Sequence, residues 1–328
     1  MLRNPKLYSA AGILSLAFAC LGSAGVQAQG YPSKTIRLVL PFPPGGGTDV
    51  VGRLLAQKLG QALGQQVIVD NRPGAGGRLG TDLVAKSPPD GYTLMLGTSS
   101  VTGTGPALYK KLPFDMPRDF APVSLVSYTA YVLVIHPSVP VKSVKALVAL
   151  AKSRPGRLTY ASSGAGGAAH LSGELFSSLA GVKMIHVAYK GSAPGTLSVL
   201  SGETDMMFSN TLPVLPHVKS GRLHALAVTT PQRFVLLPGV PTVAESGLPG
   251  FEVQQNYGVL APAGVSREII ARLNQEIAKV MQMEDTRSRL LAEGSEVKIS
   301  TPAEFEKAII AEIAKWSKVI RDAGIREE

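Results

Sequence analysis

Glycines and hydroxyls at two matching places carry the chemistry legible in this chain. The first set is Pro43, Gly45, Gly46, Thr48 and Asp49, in the run IRLVLPFPPGGGTD. The second is Ser162, Gly164, Gly166, Gly167 and His170, in the run LTYASSGAGGAAH. Each reads as an apolar strand, a glycine loop and the start of a helix. The first N–H groups of a helix lack an intrahelical partner, and its dipole favours negative charge there. Glycine lets the backbone come close to a ligand. Two such termini, more than 100 residues apart, predict two lobes closing on one small anion.

Other polar residues sit where they can refine such a site. Thr98 and Ser99 end the run YTLMLGTSS, as Ser162 and Ser163 end LTYASS. Their hydroxyls either donate to carboxylate oxygens or serve as caps and turns. Open α/β sheets bind ligands at the C-terminal ends of their strands, which favours the first role. Gly76 in RPGAGG, Tyr189 after MIHVA and Asn210 at the end of MMFSN complete the candidate ligand set. Thr48 or Asp49 also reads as a helix cap, worth about 1 kcal/mol. A carboxylate repels an anion, so Asp49 would meet a ligand through an amino group. His170 reads either as a locally bonded helix-start residue or as part of the pocket. Lys190 attracts an anion or is solvated, and Arg72 and Arg233 read as structural.

Catalytic and cofactor patterns are missing. No G-x-S-x-G elbow, H-E-x-x-H or catalytic cysteine pattern occurs. The five histidines lack metal-ligand spacing. Gly164 to Ala169 fits the dinucleotide fingerprint, but the acidic residue expected about twenty positions on is absent from IHVAYK. The P-loop lysine is absent after Gly47. No cofactor, metal or catalytic residue is therefore expected.

The first 28 residues read as an export signal. Arg3 and Lys6 form a basic start, an apolar run from Ala10 to Leu21 follows, and Val26-Gln27-Ala28 supplies a small-x-small cleavage site. The expectation is a periplasmic protein cut after Ala28. Its one cysteine, Cys20, leaves with the signal, so no disulfide forms. The formal charge of +10 is carried by singly scattered Lys and Arg, with 6% aromatics. Nucleic-acid binding needs clustered charge, so a basic surface drawing anions is the better reading.

Apolar runs alternate with amphipathic helices, which argues α/β with largely parallel sheets. IRLVLPF, QVIVDN, YTLMLGTSS, YVLVIH, LTYASS, MIHVAY, MMFSN and ALAVTT read as strands. Helices are predicted over 49–63, from about Arg78, in SVKALVALAKS, HLSGELFSSLAG, REIIARLNQEIAKVMQM and TPAEFEKAIIAEIAKWSKVIRDAG, and near Pro194. Trp316 on the last of them reads as core. The simplest partition places lobe 1 at 29–129, lobe 2 at 130–250, and a return to lobe 1 over 251–328, with FEVQQNYGVLAP as the returning crossover. Two crossings allow a hinge with a ligand cleft between the lobes.

These segments, in this order, resemble the Bug-type extracytoplasmic solute receptors of tripartite tricarboxylate transporters. The matching pieces include YPSKTIRLVLPFPPGGGTD, VDNRPGAGG, DGYTLMLGTSS, YASSGAGGAAHLSGELF, HVAYKGSAP, VTTPQRFVLLPGVPTVAESGLPGFE, GVLAPAG and KWSKVIRDAGI, which together cover nearly all of the chain after the leader. The resemblance implies a two-lobed, type II-like periplasmic binding protein fold. It implies capture of a small organic acid or amino acid, delivered to membrane permease subunits, by a monomer that binds no nucleic acid. Backbone amides, hydroxyls and waters at the glycine loops would hold the carboxylate. One departure stands out: Asn256 occupies the place before Tyr257-Gly258 where the family commonly carries a tryptophan. Two other readings remain open. An exported hydrolase of a small ester would need a base beside Ser162 or Ser163, for which the sequence offers His170. A sensing subunit would present its liganded form to a membrane signalling protein.

Overall fold

Short apolar runs in this chain become strands, and the amphipathic stretches between them cover the strand faces. The computed structural model describes residues 30–325 other than 190. The expected export signal with Cys20 and Ala28, and Lys190, lie outside the described residues. Strand β1 (Ile36–Leu40) leads to helix α1 (Gly47–Leu63), β2 (Val67–Asn71), α2 (Arg78–Ala85) and β3 (Thr93–Thr98). A wide helical turn over 100–104 runs into α3 (Gly105–Leu108) and then β4 (Phe120–Ile135). There follow α4 (Val144–Ser153), β5 (Thr159–Ser162), α5 (Ala168–Ala180), β6 (Ile185–Ala188), α6 (Ser192–Ser201), β7 (Met206–Asn210), α7 (Thr211–Lys219) and β8 (His224–Val228). The chain returns through β9 (Gln254–Pro262), α8 (Arg267–Met281), α9 (Glu284–Ala292), β10 (Glu296–Val297) and α10 (Pro302–Asp322).

From Lys34 onward these elements form one compact unit. It holds two sheets that share β4. In the first, the order is β2-β1-β3-β9-β4. In the second, β4 lies between β8 and β7, followed by β5 and β6. The sheets are parallel at their outer ends: β1 with β2 and β3, and β5 with β6 and β7. Their middle is antiparallel, because β9 runs against both β3 and β4, and β4 runs against β7 and β8. The fold is therefore mixed rather than largely parallel. The reason is the long strand β4, whose first part pairs with β9 as far as Ala130 and whose last part pairs with β7 from Tyr131.

Two helices are drawn tightly onto the strands that precede them, and a glycine makes each approach possible. A Cβ on Gly52 of α1 would lie 2.6 Å from Leu40 of β1. One on Gly173 of α5 would lie 2.2 Å from the Tyr160 ring of β5. Around these contacts α1 buries Val51, Leu54, Leu55 and Leu59, and α5 buries Leu171, Leu175 and Phe176. Each fully buried large side chain contributes about 1.5–3 kcal/mol. The close approach fixes where the N-terminus of each helix points.

Helix α10 begins with a Thr301–Glu304 capping box. Phe305 and Ile309 near its start join the core beside β1 and β3. Trp316, Val319 and Ile320 near its end join the core around β5 and β7. The helix thus runs across both halves of the molecule. Trp316 is a core residue, 2% exposed.

Candidate carboxylate site

Residues 43–47 are exposed, and Gly46 takes the N-cap position of α1. The loop is shaped from below by Asp49. Its carboxylate accepts hydrogen bonds from Gly45 N (3.0 Å), Arg53 Nε (2.9 Å) and Asn71 Nδ2 (3.0 Å). Asn71 also donates to the Phe42 carbonyl, 3.1 Å away. The Arg53 hydrogen bond, with smaller help from Gly45 and Asn71, holds the Asp49 carboxyl down at about 2 against its burial. Both Asp49 oxygens are committed to the loop itself. Thr48 is buried at the helix start, and no side-chain cap forms at Gly46.

The second loop repeats the plan with other chemistry. Gly167 caps α5, again without a side-chain cap. Gly45 and Gly166 take matching places, each one residue before its cap, with φ of +84° and +72° that side chains rarely adopt. Beneath the loop, Gly166 N–H donates to His170 Nδ1 at 2.9 Å. Gly164 N–H donates to Ser162 Oγ at 3.2 Å, and that hydroxyl lies 2.6 Å from His186 Nε2. The rings of His170 and His186 stack at 3.8 Å. Tyr160 OH donates to Glu174 Oε1, which also lies 3.6 Å from His170 Nε2.

Electrostatics follows from burial here. Burial and the nearby His170 push His186 down to about 4. Burial alone would raise Glu174, but hydrogen bonds from His170 and Tyr160 hold it below the usual carboxylate range. At an effective dielectric near 20, two unit charges about 4 Å apart repel by about 4 kcal/mol, so the stacked rings tolerate one charge far better than two.

Intervening residues connect the two loops. Gly77, in the loop that holds Gly76, would place a Cβ 3.3 Å from Phe42 and 2.7 Å from Val101. A Cβ on Gly76 would lie 3.9 Å from the Tyr109 hydroxyl, and one on Gly166 would lie 2.5 Å from Leu108. Neighbouring residues 108 and 109 thus touch the Gly76 loop on one side and the second glycine loop on the other. Above the first loop, the Tyr257 hydroxyl of β9 lies 2.7 Å from the Cβ position of Gly47. Thr98 and Ser127 flank Tyr257 in register on the neighbouring strands.

The hydroxyls separate into two groups. Thr98 Oγ1, Tyr189 OH and Asn210 Oδ1 are buried and have no hydrogen-bond partner, and Ser127 and Ser209 hydroxyls share that condition. Buried polar atoms normally find partners, so each asks for a water or a ligand atom. Ser99 is instead tied to β9, donating to Gln254 O (3.4 Å) and accepting from Asn256 N (3.0 Å). Ser162 is fully buried beneath its loop. Arg72 pairs with Asp70 and Arg233 with Glu245, both at the surface.

Sequence reasoning offered His170 as the base beside Ser162, whereas the residue that touches the hydroxyl is His186. Parallel pairing of β5 with β6 sets Tyr160 opposite His186 and so puts His186 on the face that also carries Ser162. Tyr257, Asn71, Arg53 and Leu108 also escaped that reasoning. Asn71 had a visible signal, since it ends β2 as Thr98 ends β3. Asn256 faces away from Tyr257 by strand alternation. It lines a groove of about 470 Å³ with Gln254, Lys298, Glu312 and Lys315. Lys298 Nζ donates to its Oδ1 at 3.4 Å.

A strand, a glycine loop and a helix terminus, used twice on one α/β frame, match a known group of proteins. Residues 51–325 fit the profile of the tripartite tricarboxylate transporter family receptor. The chain belongs to this family. BugT of Bordetella pertussis is 40% identical over 305 residues, covering 93% of this chain and 94% of BugT. An R. palustris protein solved with adipate is 36% identical with a TM-score of 0.77, over 90% of this chain and 99% of that one. MatC from Rhodopseudomonas palustris, with bound malate, is 31% identical with a TM-score of 0.73, over 88% of this chain and 100% of that one. The fold is that of the two-lobed solute-binding receptors. Receptors of this family are periplasmic. Among the described residues, no helix is long and apolar enough to cross a membrane.

Proposed function

We propose that this receptor captures one small organic carboxylate between its two glycine loops and passes it to the membrane permease subunits of a tripartite transporter. The observation that carries the reading is the doubled loop: Pro43, Gly45 and Gly46 before α1, and Gly164, Gly166 and Gly167 before α5, each with its backbone braced from beneath. Gly76 lies near Tyr109, whose neighbour Leu108 lies near Gly166 of the second loop. Thr98, Tyr189 and Asn210 supply polar atoms with no partner of their own. The adipate and malate held by the two relatives are acids of this class. Asp49, Ser162 and His170 act in this reading as the supports that aim the N–H groups, while Thr48 opens α1 and Ser99 ties β9 in place. Lobe 1 takes residues 29–129 and 251–328, lobe 2 takes 130–250, and closure bends β4 and β9 where their pairing changes. The protein works as a monomer, exported and cut after Ala28.

Chemistry on the bound acid is not part of the reading. The Ser162–His186 contact is the arrangement closest to a nucleophile and base, yet Ser162 Oγ also engages both the N–H and the carbonyl of Gly164. Its surface is fully buried. A loop brace needs that geometry, and an attacking hydroxyl does not.

A thermal-shift panel of mono-, di- and tricarboxylates that includes adipate and malate tests the proposal. A ligand at 100 times its dissociation constant adds about 2.7 kcal/mol of stability. One or a few acids should raise the melting temperature, reduce the radius of gyration by solution scattering and be recovered unchanged. A panel with no stabilising acid, or turnover of the bound compound, would overthrow the reading.

A further inference from the structure

Two chains of hydrogen bonds descend from the second glycine loop, and each ends on an imidazole. Gly166 N–H donates directly to His170 Nδ1. Gly164 N–H donates to Ser162 Oγ, which is bonded to His186 Nε2. The two rings lie parallel, 3.8 Å apart with 10° between their planes. We propose that this imidazole pair is the positioning device of the second loop, holding it ready for a carboxylate while both rings are neutral and releasing it when acid adds one proton to the pair. The proposal rests on the receptor reading of the same loop and adds its regulation.

Proton placement follows from the contacts. His170 Nδ1 accepts the Gly166 N–H through its lone pair, so the ring's own proton sits on Nε2, toward Glu174. A proton arriving on Nδ1 turns that acceptor into a donor and opposes two N–H groups. The loop must then move. A charge on His186 instead meets His170 across 3.8 Å. The groups that face the pair are Glu174 on α5 and Tyr160 and Ser162 on β5. Glu174 supplies the countercharge, and it touches the edge of His170 rather than His186. Burial and His170 already hold His186 well below an ordinary imidazole, so the pair has room for one proton at the cost of the Gly166 bond.

The test is an NMR titration of the ligand-free protein from pH 8 into mild acid, following the histidine ring nitrogens and the Gly164 and Gly166 amides. At pH 8, His170 should carry its proton on Nε2. Both glycine amides should then shift with the same midpoint as the imidazoles. His170→Asn offers a non-titrating acceptor near the Nδ1 position. It should keep Gly166 at its pH 8 resonance and remove the acid shift. His170→Leu should displace the Gly166 amide at every pH, and should it not fold, the wild-type titration still decides. A His170 proton on Nδ1 at pH 8, or glycine amides that stay still while the rings titrate, would overturn the proposal. If no carboxylate binds at all, the receptor reading fails while this titration stands on its own.

Discussion

The first and second glycine loops share a plan and differ in what lies beneath them. Under the first, a carboxylate is fixed by a guanidinium, an amide and a backbone N–H, all anchored on Asp49. Its carboxyl is held at about 2, so this brace keeps one charge state across any ordinary pH. Under the second, two stacked imidazoles bear on Gly164 and Gly166. That brace includes His186, whose imidazole is pushed down to about 4 by burial and by His170. The strand–glycine–helix plan fixes where the free N–H groups point. The side chains below decide how firmly they point and over which pH.

The largest expected effect tests what the loops share. A Cβ on Gly46 meets nothing within 4 Å, and one on Gly167 meets only ordinary contacts at 3.5 Å. Their φ values of −88° and −74° suit any residue. Gly46→Val and Gly167→Val should therefore fold, and the added methyls should stand where the ligand lies. Each should lower affinity for the cognate acid by about 100-fold or more, about 2.7 kcal/mol, in titration calorimetry. Loss in one variant alone would make the site one-sided and break the comparison.

Next in size is the charged brace. Asp49→Ala leaves Asn71 and the Gly45 N–H without their acceptor, and should cost about 2–3 kcal/mol in urea unfolding. Because the native carboxyl is lowered, the stability it supplies is present above the ordinary Asp pKa of about 3.8 and is lost as pH falls toward 2. Native behaviour of this variant would mean that the first loop holds itself.

The imidazole brace should respond in a different window. His186 is pushed down to about 4 from 6.5, so the unfolded chain binds the extra proton as pH falls between those values. Stability should fall by about 1–2 kcal/mol over that window, allowing for partial exposure. His186→Gln, which keeps a partner for Ser162, should flatten that slope. An unchanged slope would move the acid sensitivity away from the second loop.

How much of this was visible beforehand divides along physical lines. β7 over MMFSN, the helix starts at Arg78 and Pro302, and both glycine loops follow from local apolar runs and turn residues. β4 was read as starting at Tyr131, but it starts at Phe120. Pro122 and the polar run Ser127 to Thr129 hid its first half, which is held by pairing with β9 rather than by its own propensity. Helix α7 escaped notice because Pro213 and Pro216 lie within it. In the site, residues beside the glycines were legible, while Tyr257 and His186 were not. They arrive from strands distant in sequence, through register that no local pattern records.

The smallest effect concerns a group away from both loops and serves as a contrast. Burial pushes Glu312 of α10 up to about 7, against hydrogen bonding from Ser99 and the nearby Lys315. A raised carboxyl costs stability as pH rises from about 4.5 through 7, so Glu312→Gln should gain about 1 kcal/mol at pH 8 and little at pH 5. Thermal melts at the two pH values read this directly. A gain that is equal at both would remove the buried charge as its cause.

The central claim is that one acid is held by both loops at once. A crystal structure with the acid selected by the carboxylate panel tests it most directly. The account predicts a single ligand whose carboxylate oxygens accept N–H groups from the loop before α1 and from the loop before α5. A ligand bound at one loop alone, or in the groove beside Lys298 and Lys315, would contradict it.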